Sequence, residues 1–258
     1  MSRHFIVPDT QTRPGVPLEH IDWAAQAIVE YRPDVIVVLG DWWDMHSLST
    51  HSVPGAMDME GARYIDDVRV GNEAFARLVA PMEAERARLK RNKEKQWNPR
   101  CVFLFGNHED RITRAIEREP RNAGAYSLDH LLTPGFERHA FKERVWIDGI
   151  IYSHYFQQQN SSYAIGGSVD NRLNRIGDSF VQGHQQGFMY GNRVFPTGKT
   201  RHGLVAGSFY LHDEGYKGPQ GNDHWRGCVV LNGVSDGDYD LMPLRMDYLR
   251  NKYGRAAA

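Results

Sequence analysis

The chain has 258 residues, 41% of them apolar and 24% charged, with 31 Lys and Arg against 32 Asp and Glu for a net charge of −1. The length suits one large α/β domain or two small ones, and the near-zero charge supplies no global basic field for non-specific nucleic-acid binding. No stretch approaches the ~18–20 continuous apolar residues of a membrane-spanning helix, so no membrane partner is expected.

In chain order, Met1-Ser2-Arg3-His4 runs directly into a short predicted strand over residues 4–7, which leaves no expected signal peptide. Pro8-Asp9 ends that strand. Residues 18–31 put Leu18, Ile21, Ala25, Ile28 and Val29 on one face, the period of an amphipathic helix. Arg32-Pro33-Asp34 breaks it, and Val35-Ile36-Val37-Val38-Leu39 follows, an apolar run of the kind buried on both faces of a parallel sheet. Strand, helix and strand make one βαβ unit.

Residues 45–99 form an excursion before the next strand. Its first part, through His46, Ser47, His51 and Pro54, reads as loop. After Met57 it is helical, with Phe75, Leu78, Val79 and Met82 at helical spacing. Pro81 marks the start of a second helix, with Glu83 and Glu85 early and Arg91, Lys93 and Lys95 late, an order that complements the helix dipole. A charged helical pair projecting from the domain is the expectation.

Residues 101–105 are the third strand, and Asn107-His108-Glu109-Asp110 leads into a helix over 111–119 with an acidic start. Residues 144–152 and 179–182 are further strands, each followed by a histidine. Residues 203–211, 225–232 and 239–244 read as antiparallel strands separated by turns, and this tail is assigned to a second sheet. Cys101 and Cys228 both fall in predicted strands and read as buried thiols, which suits a reduced, cytoplasmic setting. There is no internal repeat or low-complexity tract, and the tail from Arg255 reads as a frayed end. The reading is one α/β domain over residues 1–258.

Chemistry concentrates in four short motifs: Asp9-Thr10-Gln11, Gly40-Asp41-Trp42-Trp43-Asp44, Gly106-Asn107-His108-Glu109 and Gly183-His184-Gln185-Gln186. Each of the first three ends an apolar run, and His154 falls between the third and fourth. Carboxylates, an amide and imidazoles at the ends of adjacent strands are what a divalent-metal site needs, because oxygen and nitrogen suit hard or borderline cations. A lone Gly-Asp is more often a turn or a helix cap, and a lone His at a strand end is more often structural. Four ordered motifs together reverse both priors.

In this order the motifs resemble those of the calcineurin-like metallophosphoesterases, whose pattern reads D-x-H, G-D-x-x-D, G-N-H-E/D, H and G-H-x-H. The look of the segments after the last motif is also similar to bacteriophage-encoded members. The resemblance implies a four-layer β-sandwich of two mixed sheets flanked by helices, with metal at the strand ends on one edge. It implies that Asp41 bridges two ions and that Asn107, His154 and His184 complete one site for Mn²⁺, Zn²⁺ or Fe²⁺, with Mg²⁺ and Ni²⁺ also to be considered. His108 is implied as the group that protonates the leaving group, for which imidazole is suited.

Two positions depart from the pattern. Gln11 and Gln186 stand where it has histidines, so beside Asp9 they would be weak oxygen ligands. That half-site would hold a harder ion through oxygens and water, or fill only when substrate adds its own oxygens. The cofactor is thus one or two divalent ions. The implied activity is hydrolysis of a phosphodiester or phosphomonoester by metal-activated water, with nucleotides and nucleic acids among the substrates. The alternative is a weak or inactive relative that serves as a binding module, which the paired glutamines favour and the retained His108 opposes.

For the remaining residues the bland reading leads. Glu109 and Asp110 are expected to serve the helix dipole, and Asp44 to stand behind the ligands. His46 and His51 could overhang the metals. Lys199, Arg201 and His202 could clamp a phosphate, and His212, Tyr216, His224 and Trp225 could bound a cleft. The basic run through Arg86, Arg88, Lys90, Arg91 and Lys93 reads as a solvated helix face.

Overall fold

The apolar runs of the sequence become the central strands of two mixed sheets. In the computed structural model, which describes residues 1–50 and 57–254, β1 (Ser2–Val7), β2 (Val35–Val38), β3 (Arg100–Leu104) and β4 (Glu137–His139) lie side by side in parallel. β10 (Gly227–Ser235) joins the other side of β1 antiparallel, and β11 (Asp238–Arg245) pairs with β10, so the order is β11-β10-β1-β2-β3-β4. The second sheet runs β5 (Val145–Ile147), β6 (Ile150–Ser153), β7 (Phe180–Gln182), β9 (Thr200–Ala206) and β8 (Phe188–Val194), with β6, β7 and β9 parallel.

Alternation along the strands sorts the side chains into layers. Phe5, Val7, Ile36, Val38 and Phe103 face outward against α1 (Glu19–Tyr31), α2 (Tyr64–Arg91) and α6 (Met246–Tyr253). Ile6, Val37, Leu39, Val102 and Leu104 point the other way and meet Ile150, Tyr152, Val181 and Leu204 of the second sheet. That sheet's outer face, with Ile151 and Phe180, is covered by Val169 and Leu173 of α4 (Val169–Ile176). Each such side chain contributes about 1.5–3 kcal/mol by leaving water. α3 (Asp110–Arg118) begins just after the segment that follows β3, and α5 (Gly218–Asn222) has only 5 residues.

Several expectations are corrected. The excursion is not a projecting pair. α2 is continuous through Pro81, because Phe75, Leu78, Val79 and Met82 on both sides of the proline are buried, and that packing outweighs a cost of about 3 kcal/mol. Arg77 of α2 also grips Asp22 of α1, with Nε 2.9 Å from Oδ1. Residues 144–152 are a hairpin rather than one strand: Asp148 and Gly149 both adopt positive φ (48° and 84°), which turns β5 back into β6. Of the tail assigned to the second sheet, β9 does lie there, but β10 and β11 complete the first sheet. Cys228 is buried in β10 and Cys101 half-buried in β3. Among the described residues no helix is long and apolar enough to cross a membrane. The tail from Arg255 lies outside the described residues.

Candidate metal centre

The parallel strands of both sheets deliver their carboxyl ends to one edge, the usual place for a site in such sheets. Asp9 follows β1, Asp41 follows β2, Asn107 follows β3, His154 directly follows β6 and His184 follows β7. The loops there are tightly wound. Gln11, Asp41, Met45 and His184 all take positive φ (46°, 49°, 50° and 66°), a cost of order 1–3 kcal/mol each that surrounding structure must meet.

Glu109 meets much of it. Its carboxylate is fully buried and accepts from the backbone N–H of Gly106 at 2.7 Å and of Asp41 and Trp43 at 3.0 Å. Glu109 is therefore a clamp on the Gly-Asp loop, not a helix-dipole residue. Burial and the neighbouring Asp41 push its carboxyl up to about 7. Asp110 does stand in the first turn of α3, where it also pairs with Arg114 at 3.2 Å. Glycines let the loops close: a Cβ on Gly106 would stand 2.1 Å from Asp41 Oδ1, and one on Gly183 2.4 Å from Asp9 Oδ1. Behind them Trp42 and Trp43, both buried, donate to the Gly71 and Val68 carbonyls of α2 at 3.0 and 3.4 Å. The excursion thus backs the site.

Four predicted ligands converge. Asn107 Oδ1 lies 2.7 Å from His184 Nδ1 and 2.9 Å from His154 Nε2, which is itself 3.4 Å from Asp41 Oδ1. The ligand atoms of Asp41, His154 and His184 all lie within 4.8 Å of one another. On the far side of its ring, His154 Nδ1 sits 2.7 Å from the Leu39 carbonyl. A carbonyl only accepts, so Nδ1 carries the hydrogen, and a neutral ring aims the Nε2 lone pair at two oxygen acceptors. A proton or a metal ion resolves that conflict. Atoms about 2.1 Å from an ion stand roughly 3 Å apart, close to the observed spacing. The residues present fit a divalent cation of the Mn²⁺, Zn²⁺ or Fe²⁺ kind.

The charges agree. Burial alone would raise Asp41, but His108 and His154 hold it well below the usual carboxylate range. Burial lowers His154, but Asp41 and Asp9 outweigh it and bring it up to about 9. His184, which burial and His154 push down to about 4, is neutral and ready to ligate. Asp9 is pushed up to about 7 by burial and by Asp41. Its Oδ1 accepts from the His184 N–H at 3.0 Å, while Oδ2 is buried with no hydrogen-bond partner, which calls for a cation or a proton.

His108 stands beside this group. Its Nδ1 is 2.9 Å from both the side-chain and the main-chain oxygen of Asp44, so the ring turns Nε2 inward, 3.7 Å from Asp41 Oδ2. Burial opposes its charge, yet Asp41 and Asp44 hold its pKa above the ordinary histidine value. Asp44, expected behind the ligands, contacts His108 and grips Arg13 at 3.3 Å and Arg111 at 3.5 Å. Arg13 also reaches Glu214 at 3.2 Å. A cleft of about 870 Å³ opens here, lined by Asn107, His108, Gln11, Arg13, Arg111 and His46 among others.

Gln11 and Gln186 are brought together, but with each other: Gln186 Nε2 donates to Gln11 Oε1 at 3.3 Å. The Lys199 cluster is elsewhere and otherwise engaged. Lys199 meets Asp236 at 2.6 Å, Arg201 meets Asp178 at 2.7 Å, and buried His202 meets Asp238 at 2.6 Å. It is no phosphate clamp. His212 pairs with Glu214 and His224 with Tyr210 and Ser208, while Trp225 packs on Phe188. His51 lies outside the described residues, as does the side chain of Tyr216. The basic face of α2 is solvated, with Arg88 held by Glu85 and Glu94. Arg13 and Lys217 were missed, since single basic residues in loops carry no pattern. Only Arg13's place just after the first motif could have pointed to it. No family model matches the chain, and no curated protein matches it.

Proposed function

We propose that the protein is a metal-dependent phosphoesterase of the calcineurin-like kind, hydrolysing a phosphodiester or phosphomonoester in the cleft above Asn107. The observation that carries this reading is the His154 ring, whose Nε2 faces the oxygens of Asn107 and Asp41, a contact that only a proton or a metal ion satisfies. Asp41, Asn107, His154 and His184 would hold the ion, with Asp9 beside them. A divalent ion so bound neutralises phosphoryl oxygens and lowers the pKa of a water toward about 7.

The chain's own residues supply the rest. Asp44 fixes the His108 ring so that Nε2 faces the cleft, and Asp41 and Asp44 raise its pKa above the ordinary histidine value, the direction an acid needs. From there His108 protonates the departing alkoxide. Arg111, 3.3 Å from His108 Nε2, and Arg13 present planar donors suited to phosphoryl oxygens. Glu109 keeps the Asp41 loop in its strained conformation. Nucleotides and nucleic acids fall within this substrate class.

The test is a screen of phosphomonoesters and phosphodiesters, nucleotides included, with Mn²⁺, Mg²⁺, Ni²⁺ and chelator. It is run beside elemental analysis of the purified chain. Metal-dependent release of phosphate or of a nucleotide is the expected result. A chain that binds metal but turns over nothing would instead favour the binding-module reading. No ion bound at saturating Mn²⁺ would remove both the centre and the mechanism.

A further inference from the structure

The oxygen and nitrogen of an amide are told apart by their partners, and at the paired glutamines one partner decides. The Lys217 ammonium, which has donors and no acceptor, contacts Gln186 Oε1. The Tyr210 hydroxyl donates to the same oxygen at 2.9 Å. Both lone pairs of that oxygen are thereby used. Gln186 must turn Nε2 toward Gln11, and it donates to Gln11 Oε1 at 3.3 Å. Gln11 is then left with its NH₂ group as the end turned away from that bond, on a side chain that lines the cleft. The chain of polarity runs from Lys217 through Gln186 to Gln11, and it ends in donors.

Oxygen ligands would have to show lone pairs to an ion, and here the Gln11 oxygen accepts from Gln186 Nε2–H while the Gln186 oxygen accepts from Lys217 and Tyr210. We infer that Gln11 and Gln186 form a donor subsite for an anionic oxygen of the phosphate ester, set in polarity by Lys217, and that this half takes no metal ion. The inference rests on the phosphoesterase reading. The unpartnered Oδ2 of Asp9 is the feature of this half that calls for a cation or a proton, and an ion held by Asp41, Asn107, His154 and His184 would supply positive charge beside it. Lys217 is a positioning residue in this scheme, and Gln11 touches the substrate.

The test is calorimetry on the full chain, titrated first with Mn²⁺ and then with inorganic phosphate, in Mn²⁺-loaded and in chelator-treated protein. Wild type and Gln11→Met are expected to bind one Mn²⁺ per chain, with phosphate roughly 10- to 100-fold weaker in Gln11→Met, the loss of a hydrogen bond to a charged group. Lys217→Met should weaken phosphate several-fold by freeing Gln186 to turn, and Lys217→Arg, which still only donates, should retain wild-type binding. Two tight Mn²⁺ ions in wild type, or equal phosphate affinity in wild type and Gln11→Met, overturns the inference. Should wild type take no Mn²⁺, the metal centre fails, and the phosphate comparison in chelated protein still decides the donor subsite.

Discussion

Around Asn107 the side chains turn acceptors inward. His154 is fixed by the Leu39 carbonyl so that a lone pair faces Asn107 and Asp41, and neutral His184 offers a second nitrogen. Around Gln11 the same edge of the same sheets turns the other way. There Lys217 and Tyr210 consume the Gln186 oxygen, and the pair ends in N–H groups. Two halves that share strand ends and the Asp9–Asp41 carboxylates thus differ in hydrogen-bond sign. Acceptors without donors attract a cation, and donors without acceptors attract an anion. A phosphate ester with its metal ion carries both.

The largest effect should come from the acceptor half. Asp41→Ala removes the carboxylate that His154 and His108 both face. Mn²⁺ affinity is expected to fall by more than about 100-fold, since even outer partners of ligands cost 10- to 100-fold, and hydrolysis should drop to background. Retention of wild-type affinity, measured by calorimetry, would break the assignment of this half as the metal centre. Next in size is His108→Ala, which should lower turnover by about 10²- to 10⁴-fold while leaving metal content unchanged. Equal loss of metal and turnover would move His108 from the acid's role to that of a ligand.

The acceptor half was legible in the sequence because its residues sit where apolar runs stop. Val35 to Leu39 and Cys101 to Leu104 announce buried strands, and the residues after each run must lie at the sheet edge. The donor half was legible only in its identities. Gln11 and Gln186 could be seen, but amide polarity depends on Lys217 and Tyr210, and Lys217 sits in a Gly-rich loop with no periodicity. Glu109 misleads for a related reason: at the start of a helix a glutamate commonly serves the dipole, and only the fold shows it buried under the Asp41 loop. In the fold, Asp148-Gly149 was a hairpin signal inside an otherwise continuous strand pattern. α2 hid behind Pro81, and β4, β8 and α4 are short or half-exposed, so packing rather than pattern determines them.

A smaller effect arises from His154 in metal-free protein. Its folded pKa of about 9 lies above the ordinary 6.5, so the stability it contributes is fully present below about pH 6.5 and is lost as pH rises through 9. The metal-free Tm should therefore decline between pH 6.5 and 9. Mn²⁺ must displace that proton, so binding at pH 7.5 should release protons into the buffer. The same titration should show little release from His184, which is already neutral. Calorimetry in buffers of different ionisation enthalpy counts the protons, and no release at all would mean that His154 is not a ligand.

The smallest expected change is also the most discriminating between the halves. Replacing both glutamines by histidine writes two imidazoles into the donor half, and imidazole suits softer ions such as Zn²⁺. If residue identity alone kept a second ion out, this double variant should bind two. Lys217 would still direct its ammonium at position 186, however, and charges of like sign a few ångströms apart in a partly buried site repel by several kcal/mol. The double variant is therefore expected to stay near one ion per chain, and to approach two only when Lys217→Met is added. Elemental analysis after dialysis against Zn²⁺ reads both numbers. Two ions in the double variant with Lys217 in place would show that the glutamines, not the lysine behind them, set the sign of that half.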